Sequence, residues 1–323
     1  MNLHQAILIG NGTMGQRHRI RFESAGVRFL KVLDKDADTW LFENFDNWCK
    51  SGECLQTEEG VPGEIRLDFA VVASPATTHY KYVRFFLERK IPVLVEKPLA
   101  TSGKQAMELV DLALANNTLL FVAQSECYNP LFLNFRKHLL IDLKKAVEAN
   151  RKAAGGDGVR EPLNVKLEFR REHGFSERCR DVDVSLDLLV HDVSLFLNLF
   201  RADDVIAVNE QPDSGCNSED RTQLTLKVSS GEFAGVIARF YANRSSDHDR
   251  RTVSVEFGRN GSMSGFDYSV SLVLYTENGN VAHVPDSLDN EHKFFLKLLA
   301  GSCCDWAHRA LLNAAQTVAV ISK

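Results

Sequence analysis

The sequence has no excess of positive charge: 38 lysines and arginines stand against 43 aspartates and glutamates, a formal net charge of -5. That excludes the basic footprint by which proteins hold nucleic acid. Long apolar runs are missing as well, so no stretch reads as a membrane span. Met1-Asn2-Leu3-His4-Gln5 leads straight into a strand pattern, without the charged and apolar regions of a signal peptide, which sets the expectation of a cytoplasmic protein. The seven cysteines, at 49, 54, 127, 179, 216, 303 and 304, are odd in number and scattered. None has zinc-ligand spacing, so they read as free thiols in a reducing compartment, and no metal is expected. There is no internal repeat and no low-complexity tract. What remains is a globular balance, 44% hydrophobic and 25% charged over 323 residues, enough for one large domain or two ordinary ones.

The stretch Val93-Leu-Val-Glu-Lys-Pro98 organises the rest. Ile91 to Val95 is the short β-branched run of a strand buried on both faces. Pro98 ends it and biases Lys97 away from the helical region. An ionisable pair, Glu96-Lys97, is thus delivered at the carboxyl end of a buried strand, where open α/β sheets bind ligands.

Upstream, the strand Ala6 to Ile9 runs into Gly10-Asn11-Gly12-Thr13-Met14-Gly15 and then a helical stretch to about Ala25. Strand, G-x-G-x-x-G and helix in that order form a dinucleotide turn: the glycines give the tight turn, the close approach of a pyrophosphate and the helix–strand packing. The next strand, Arg28 to Leu33, ends at Asp34, placed to accept both ribose hydroxyls of NAD and to repel the 2′-phosphate of NADP. NAD is therefore the expected cofactor, and the alternative is a glycine turn beside an ordinary surface aspartate. A helix is predicted over Asp38 to Cys49, a loop over Ser51 to Glu64, a strand over Phe69 to Ala73 ending in Ser74-Pro75, a helix opened by His79, another from about Ser102 to Ala115, and a strand from Leu119 to Ala123. This alternation predicts a parallel doubly wound sheet over residues 1–123.

The pattern changes after Gln124. Lys144 to Glu161 is charged and glycine-bearing and reads as a loop or insertion. Strands then follow in succession (Asn164–Arg170, Gln223–Val228, Phe233–Tyr241, Thr252–Phe257 and Val270–Tyr275), alternating apolar and polar as in a mostly antiparallel sheet with one wetter face. Residues 124–305 are thus expected to form an α+β substrate and oligomerisation domain, with a final helix, about Trp306 to Ile321, packing back on the first. Ser185 to Phe200 is the strong helix of this half. It places Asp187 and His191 four residues apart on one face among apolar neighbours, a carboxylate able to orient an imidazole for proton transfer. The alternative is a structural pair satisfied in the core; what favours chemistry is Lys97, bordering the cleft whose opposite wall this helix would form. Arg170, Arg171, Arg178 and Arg180 flank the entry to that helix and would suit an anionic substrate, unless they are a solvated strand edge with Glu172 and Glu177 as partners.

Gly10-x-Gly12-x-x-Gly15, Glu96-Lys97-Pro98 and Asp187-x-x-x-His191-Asp192, with Ser74-Pro75-x-x-x-His79 and Leu99-Ala100-Thr101, together resemble the glucose-fructose oxidoreductase / inositol dehydrogenase / MocA family along nearly the whole chain. The resemblance implies an N-terminal Rossmann domain, a C-terminal domain on an open sheet, a tightly held nicotinamide cofactor and a homodimer or homotetramer formed through that sheet. It implies that Lys97, Asp187 and His191 are catalytic, that Ser74, Pro75, His79, Glu96 and Lys97 line the cofactor, and that the Lys97–Pro98 bond is cis. Two runs depart from the family pattern, Asp181-Val-Asp-Val-Ser-Leu186 and Gln124-Ser-Glu-Cys-Tyr-Asn129. Both touch the substrate pocket, where Tyr128, Arg178 and Arg180 are candidates. The expected activity is hydride transfer between nicotinamide and a secondary alcohol of a sugar, cyclitol or sugar derivative. The other readings are a catalytically silent NAD-binding sensor or scaffold, and a reductase of an imine, bilin or dihydrodiol-type substrate.

Overall fold

The computed structural model describes residues 4–51, 67–153, 162–174, 181–208, 219–258, 269–273, 286–301 and 305–322. Contacts divide the chain into two compact units, one of residues 1–123 and 292–311, the other of 124–291 and 312–323. The final helix contributes its first residues to one unit and 312–321 to the other.

In the first unit, β1 (Gln5–Ile9), α1 (Thr13–Ser24), β2 (Arg28–Leu33), α2 (Ala37–Thr39), α3 (Phe45–Ser51), β3 (Phe69–Val72), α4 (Ala76–Glu88), β4 (Val93–Glu96), α5 (Gly103–Ala115) and β5 (Leu120–Ala123) follow in order, with a π-helical turn at Trp40–Asn44 between α2 and α3. The sheet runs β2-β1-β3-β4-β5, and every pairing is parallel. This is a doubly wound order whose direction of winding reverses between β1 and β3, the point at which such sheets bind ligands. All four residues of β3, of β4 and of β5 are buried, as strands covered on both faces require. Helix α4 begins three residues before His79, because Pro75, fixed at φ -55°, already supplies the turn into the helix. The core is aromatic: Phe295 lies 6.0, 5.0 and 5.5 Å, ring centre to ring centre, from Phe22, Phe69 and Phe121.

In the second unit, α6 (Pro130–Ala153), β6 (Val165–Glu172), α7 (Val190–Leu199), β7 (Val205–Ala207), β8 (Arg221–Val228), β9 (Val236–Asn243), β10 (Arg250–Phe257) and β11 (Ser269–Val273) follow a short 3-10 turn at Ser125–Tyr128. Two last helices, α8 (Ser287–Leu299) and α9 (Asp305–Ile321), supply residues to both units. The second sheet runs β11-β10-β6-β9-β8-β7; β6 and β9 are parallel and the remaining pairs antiparallel. One face carries Val165, Leu167 and Phe169 of β6 and Phe240 of β9 inward, and the other carries Lys166 and Glu168 outward. Phe169 stacks on Phe240 at 4.7 Å and meets Phe196 of α7 at 6.4 Å.

Two expectations fail here. The charged stretch from Lys144 is not a loop: as far as Ala153 it is the end of α6, a 24-residue helix. Leu139, Leu143 and Val147 make its buried stripe, and the lysines that suggested a loop are its wet face. Residues 154–161 lie outside the described residues. Nor is Ser185–Phe200 the one strong helix of this half, since α6, at 24 residues, is longer, and the first turn of Ser185–Phe200, Ser185–Leu189, is π-helical.

Candidate active site

The glycine turn is built by close packing. Gly10 has φ +92°, and a Cβ there would stand 2.5 Å from the carbonyl oxygen of Ala73 and 2.6 Å from the nitrogen of Ser74, the first residues beyond β3. A Cβ on Gly15 would collide with the carbonyl of Gly10. Gly12 is different: nothing lies within 4 Å of the position a Cβ would take. Gly12 also occupies the cap position of α1 without a side-chain cap, so the first N–H groups of Thr13, Met14 and Gly15 are available to an anion. Beside it, the Asn11 Oδ1 is buried and makes no hydrogen bond among the described residues. An open cradle and uncapped amides fit a pyrophosphate. The Gly10 N–H donates to the Leu33 carbonyl at 2.8 Å, which brings the end of β2, and the exposed Asp34 after it, beside the turn.

The turn after β3 lies next to it. Ser74 and Thr78 share a hydroxyl hydrogen bond of 2.7 Å, and Ala73 N–H donates to Ile9 O at 2.7 Å. His79 is 1% exposed, and its ring nitrogens lie 2.9 Å from Ser74 O and 2.7 Å from Pro98 O. Only a ring carrying both protons donates to both carbonyls. His79 is thus a strut between the Ser74-Pro75 turn and the turn after β4, where the Lys97–Pro98 peptide is cis.

Glu96 closes the group, and here the sequence reading missed two residues. His18 Nε2 lies 2.8 Å from Glu96 Oε1, and His18 Nδ1 lies 2.7 Å from His292 Nε2. The Lys97 N–H donates to Glu96 Oε2 at 3.1 Å. Burial alone would raise the Glu96 carboxyl; the His18 hydrogen bond, with the nearby Lys97 and His79, outweighs it and holds it below the usual carboxylate range. His18 was legible as a buried position, three residues past Gly15 and four before Phe22 on one helix face. His292 belongs to α8, whose period was not picked out.

Burial pushes His292 down to about 2, with His18 and Arg21 adding to it. A histidine of depressed pKa binds fewer protons folded than unfolded, so its contribution is fully present above its ordinary pKa near 6.5 and is lost as pH falls below that value. The loss is about 1.4 kcal/mol per pH unit. We therefore expect His292→Phe, which keeps the ring stacked on Phe22 at 4.1 Å, to lose less stability than the wild type between pH 6.5 and 5, by about 2 kcal/mol in urea titrations at the two pH values. Equal losses in the two proteins would refute this.

In the second unit Asp187 lies in the π-helical turn, 7% exposed, and His191 opens α7, half-buried. Asp183 caps the turn, its Oδ1 accepting the N–H groups of Ser185 at 2.7 Å and Leu186 at 3.0 Å. Wide turns of this kind recur at functional sites. The Asp187 carboxylate is 3.9 Å from Nη1 of Arg244, which is 3% exposed. Arg244 donates to Asp220 at 2.9 Å and to Val182 O at 3.0 Å. Asp192 anchors the helix from behind: Arg171, 1% exposed on β6, donates to its two oxygens at 2.7 and 3.0 Å. Arg171 Nη1 also reaches Glu126 Oε1 at 3.5 Å, which accepts Arg251 at 2.9 Å. Removing one partner from such a buried set leaves another charge uncompensated, at a cost of about 3–5 kcal/mol.

Arg171 is therefore a core residue, neither a substrate contact nor a solvated edge, while Arg170 is bonded to Glu168 at 2.7 Å. Arg178 and Arg180 lie outside the described residues. Tyr128 is 8% exposed, and its carbonyl accepts Asn290 Nδ2 at 3.3 Å. Cys127, beside it, is buried and its thiol is pushed up to about 12 by burial, so it is no nucleophile. Among the described residues there is no cluster able to hold a metal ion, and no helix is long and apolar enough to cross a membrane.

Comparison with known proteins adds to this geometry. Residues 5–124 match the profile of the oxidoreductase family with an NAD-binding Rossmann fold that includes glucose-fructose oxidoreductase, inositol dehydrogenase and MocA. Inositol 2-dehydrogenase of Acidothermus cellulolyticus is 24% identical over 280 residues, 85% of this chain and 71% of that one. Among solved structures, UDP-N-acetylglucosamine 3-dehydrogenase GnnA of Acidithiobacillus ferrooxidans superposes with a TM-score of 0.63 at 20% identity over 100% of both chains. The WlbA (WbpB) dehydrogenase of Thermus thermophilus, in complex with NAD and alpha-ketoglutarate, gives 0.62 at 15% identity, covering 99% of this chain and 94% of that one. With its glycine turn and its Glu96-Lys97-Pro98 strand end, residues 5–124 are thus similar to the NAD-binding Rossmann domain of that oxidoreductase family, and the whole chain shares its fold with these solved dehydrogenases.

Proposed function

We propose that this chain is an NAD-dependent dehydrogenase that oxidises a secondary alcohol of a cyclitol, a sugar or an anionic sugar derivative, or runs that reaction in reverse. The observation that carries the cofactor half is the open space at Gly12 between an uncapped α1 and the exposed Asp34. Gly10 to Gly15 would hold the pyrophosphate, Asp34 the adenosine ribose, and Ser74, Pro75, Glu96 and Lys97 would border the cofactor, with His79 fixing two of its turns. Bound nicotinamide supplies a hydride acceptor. His191 removes the proton of the substrate hydroxyl as general base, Asp187 orients its ring, and Lys97 stabilises the negative charge that develops on that oxygen. The substrate class is supported by the relatives' own names, inositol and UDP-N-acetylglucosamine dehydrogenases. Arg178 and Arg180 would serve a carboxylate or phosphate on it. A homodimer or homotetramer formed through the second sheet is part of this proposal.

Absorbance at 340 nm across a panel of cyclitols and sugar nucleotides, with NAD and NADP compared, tests the reading. Asp34→Ser is expected to weaken NAD by about tenfold or more, the loss of hydrogen bonds to a charged group, and to improve NADP. A wild type that prefers NADP, or a variant with unchanged preference, would sink the assignment of Asp34. A protein that binds NADH and turns over nothing in the panel would favour a sensor or scaffold.

A further inference from the structure

We infer that His18 is a positioning residue for Lys97, acting through Glu96, and that His292 sets the tautomer in which it does so; the role of Lys97 is taken from the reading above.

The three side chains come from α1, β4 and α8, and all are buried: His18 0%, Glu96 8% and His292 3% exposed. The two imidazoles approach nitrogen to nitrogen at 2.7 Å, so one proton lies between them. His292 Nδ1 is buried and has no hydrogen-bond partner among the described residues, with its ring stacked on Phe22. A proton on that nitrogen would be a buried donor without an acceptor, and orphaned buried N–H groups are rarer in proteins than orphaned acceptors, which favours the bare lone pair there. The His292 proton therefore sits on Nε2 and is donated to His18 Nδ1. That leaves the His18 proton on Nε2, donated to Glu96 Oε1 at 2.8 Å. The other carboxylate oxygen, Oε2, accepts the peptide N–H of Lys97. The hydrogen bonds run in one direction, from His292 through His18 to Glu96, and end on the residue whose ammonium is assigned to the reacting oxygen.

The consequence is geometric and electrostatic. With both oxygens engaged, Glu96 has one rotamer, and it fixes the backbone at Lys97 from one side while His79 holds Pro98 from the other. Its charge attracts the Lys97 ammonium. Among the described residues, the charged and titratable groups acting on these hydrogen bonds include Lys97, His79 and Arg21. His18 also sits one turn past the phosphate-facing end of α1, so the same contact ties the glycine turn to β4.

Two substitutions separate positioning from bulk. In His18→Gln the amide N–H reaches the place of Nε2 and can still donate to Glu96; in His18→Asn it reaches only the place of Nδ1. With both variants shown to be folded by circular dichroism and thermal melting, we expect His18→Asn to lose about a hundredfold in kcat, the effect of a small misplacement of a reacting group. His18→Gln should recover most of that loss, and the KM for NAD should change little in either. Ring-15N-histidine spectra of the wild type should show His292 protonated at Nε2 and bare at Nδ1 between pH 6 and 8. A folded His18→Asn with wild-type kcat, equal losses in the two variants, or a His292 proton on Nδ1 would each overturn the inference. Lys97→Ala in the same assay reports on the underlying reading: if it leaves turnover intact that reading falls, while the histidine spectrum still decides the direction of the hydrogen bonds.

Discussion

His191→Ala should lower turnover by about a hundred- to ten-thousand-fold while leaving the affinity for NADH unchanged, the effect of removing a positioned acid–base group. The expectation rests on separate supports. The residue stands at the start of α7, directly after the π-helical turn that holds Asp187, and α7 is pinned by the Asp192–Arg171 pair, so the ring's backbone does not drift. The residue is only half-buried, so it is not sealed in the core. Its backbone carbonyl accepts the Ser194 hydroxyl at 2.6 Å, independent of the ring, so truncation should not unfold the helix. Stopped-flow single turnovers with the best substrate of the panel, beside fluorescence titration with NADH, give the two numbers. A variant that turns over at the wild-type rate removes His191 from the mechanism; one that loses NADH affinity in proportion makes it a binding or folding residue instead.

Gly10→Ala should abolish cofactor binding and destabilise the protein by more than about 3 kcal/mol, a large part of the 5–15 kcal/mol that a folded domain commonly has. Two costs add. The residue sits at φ +92°, a region that side chains other than glycine's rarely adopt. The added methyl would also meet the backbone of Ala73 and Ser74, which belongs to the adjacent strand end and cannot swing aside as a side chain would. Gly12→Ala is the matched control. Nothing crowds that position, so stability should hold while NAD affinity falls, because the methyl fills the space a pyrophosphate would use. Melting temperature and NADH titration on both variants distinguish the cases. A Gly10→Ala protein of wild-type stability would contradict the packing described here.

The parts of the chain that could be read in advance are those whose signal is local. Strand, glycine turn and helix follow one another within twenty residues, and buried runs such as Val93–Val95 need no partner to be recognised. What escaped depends on distant chain. Lys144–Ala153 reads as a loop by its charges alone, and only the Leu139, Leu143, Val147 stripe running into it marks it as helix. Arg171 looked exposed because nothing in the sequence says that Asp192 and Glu126 are brought to it by a helix and a turn. The same holds for His18, whose two partners are 78 and 274 residues away. Local pattern therefore located the groups assigned to chemistry, while the charges that hold them in place emerged only with the fold.

Phe295 fills the space among Phe22, Phe69 and Phe121, yet it is encoded more than 170 residues after the last strand of the sheet it completes. During synthesis the first unit therefore lacks this central ring until the strands of the second sheet and Phe295 have been made. The second sheet is made in the interval, so a product truncated before Phe295 would leave the aromatic core of the first unit open.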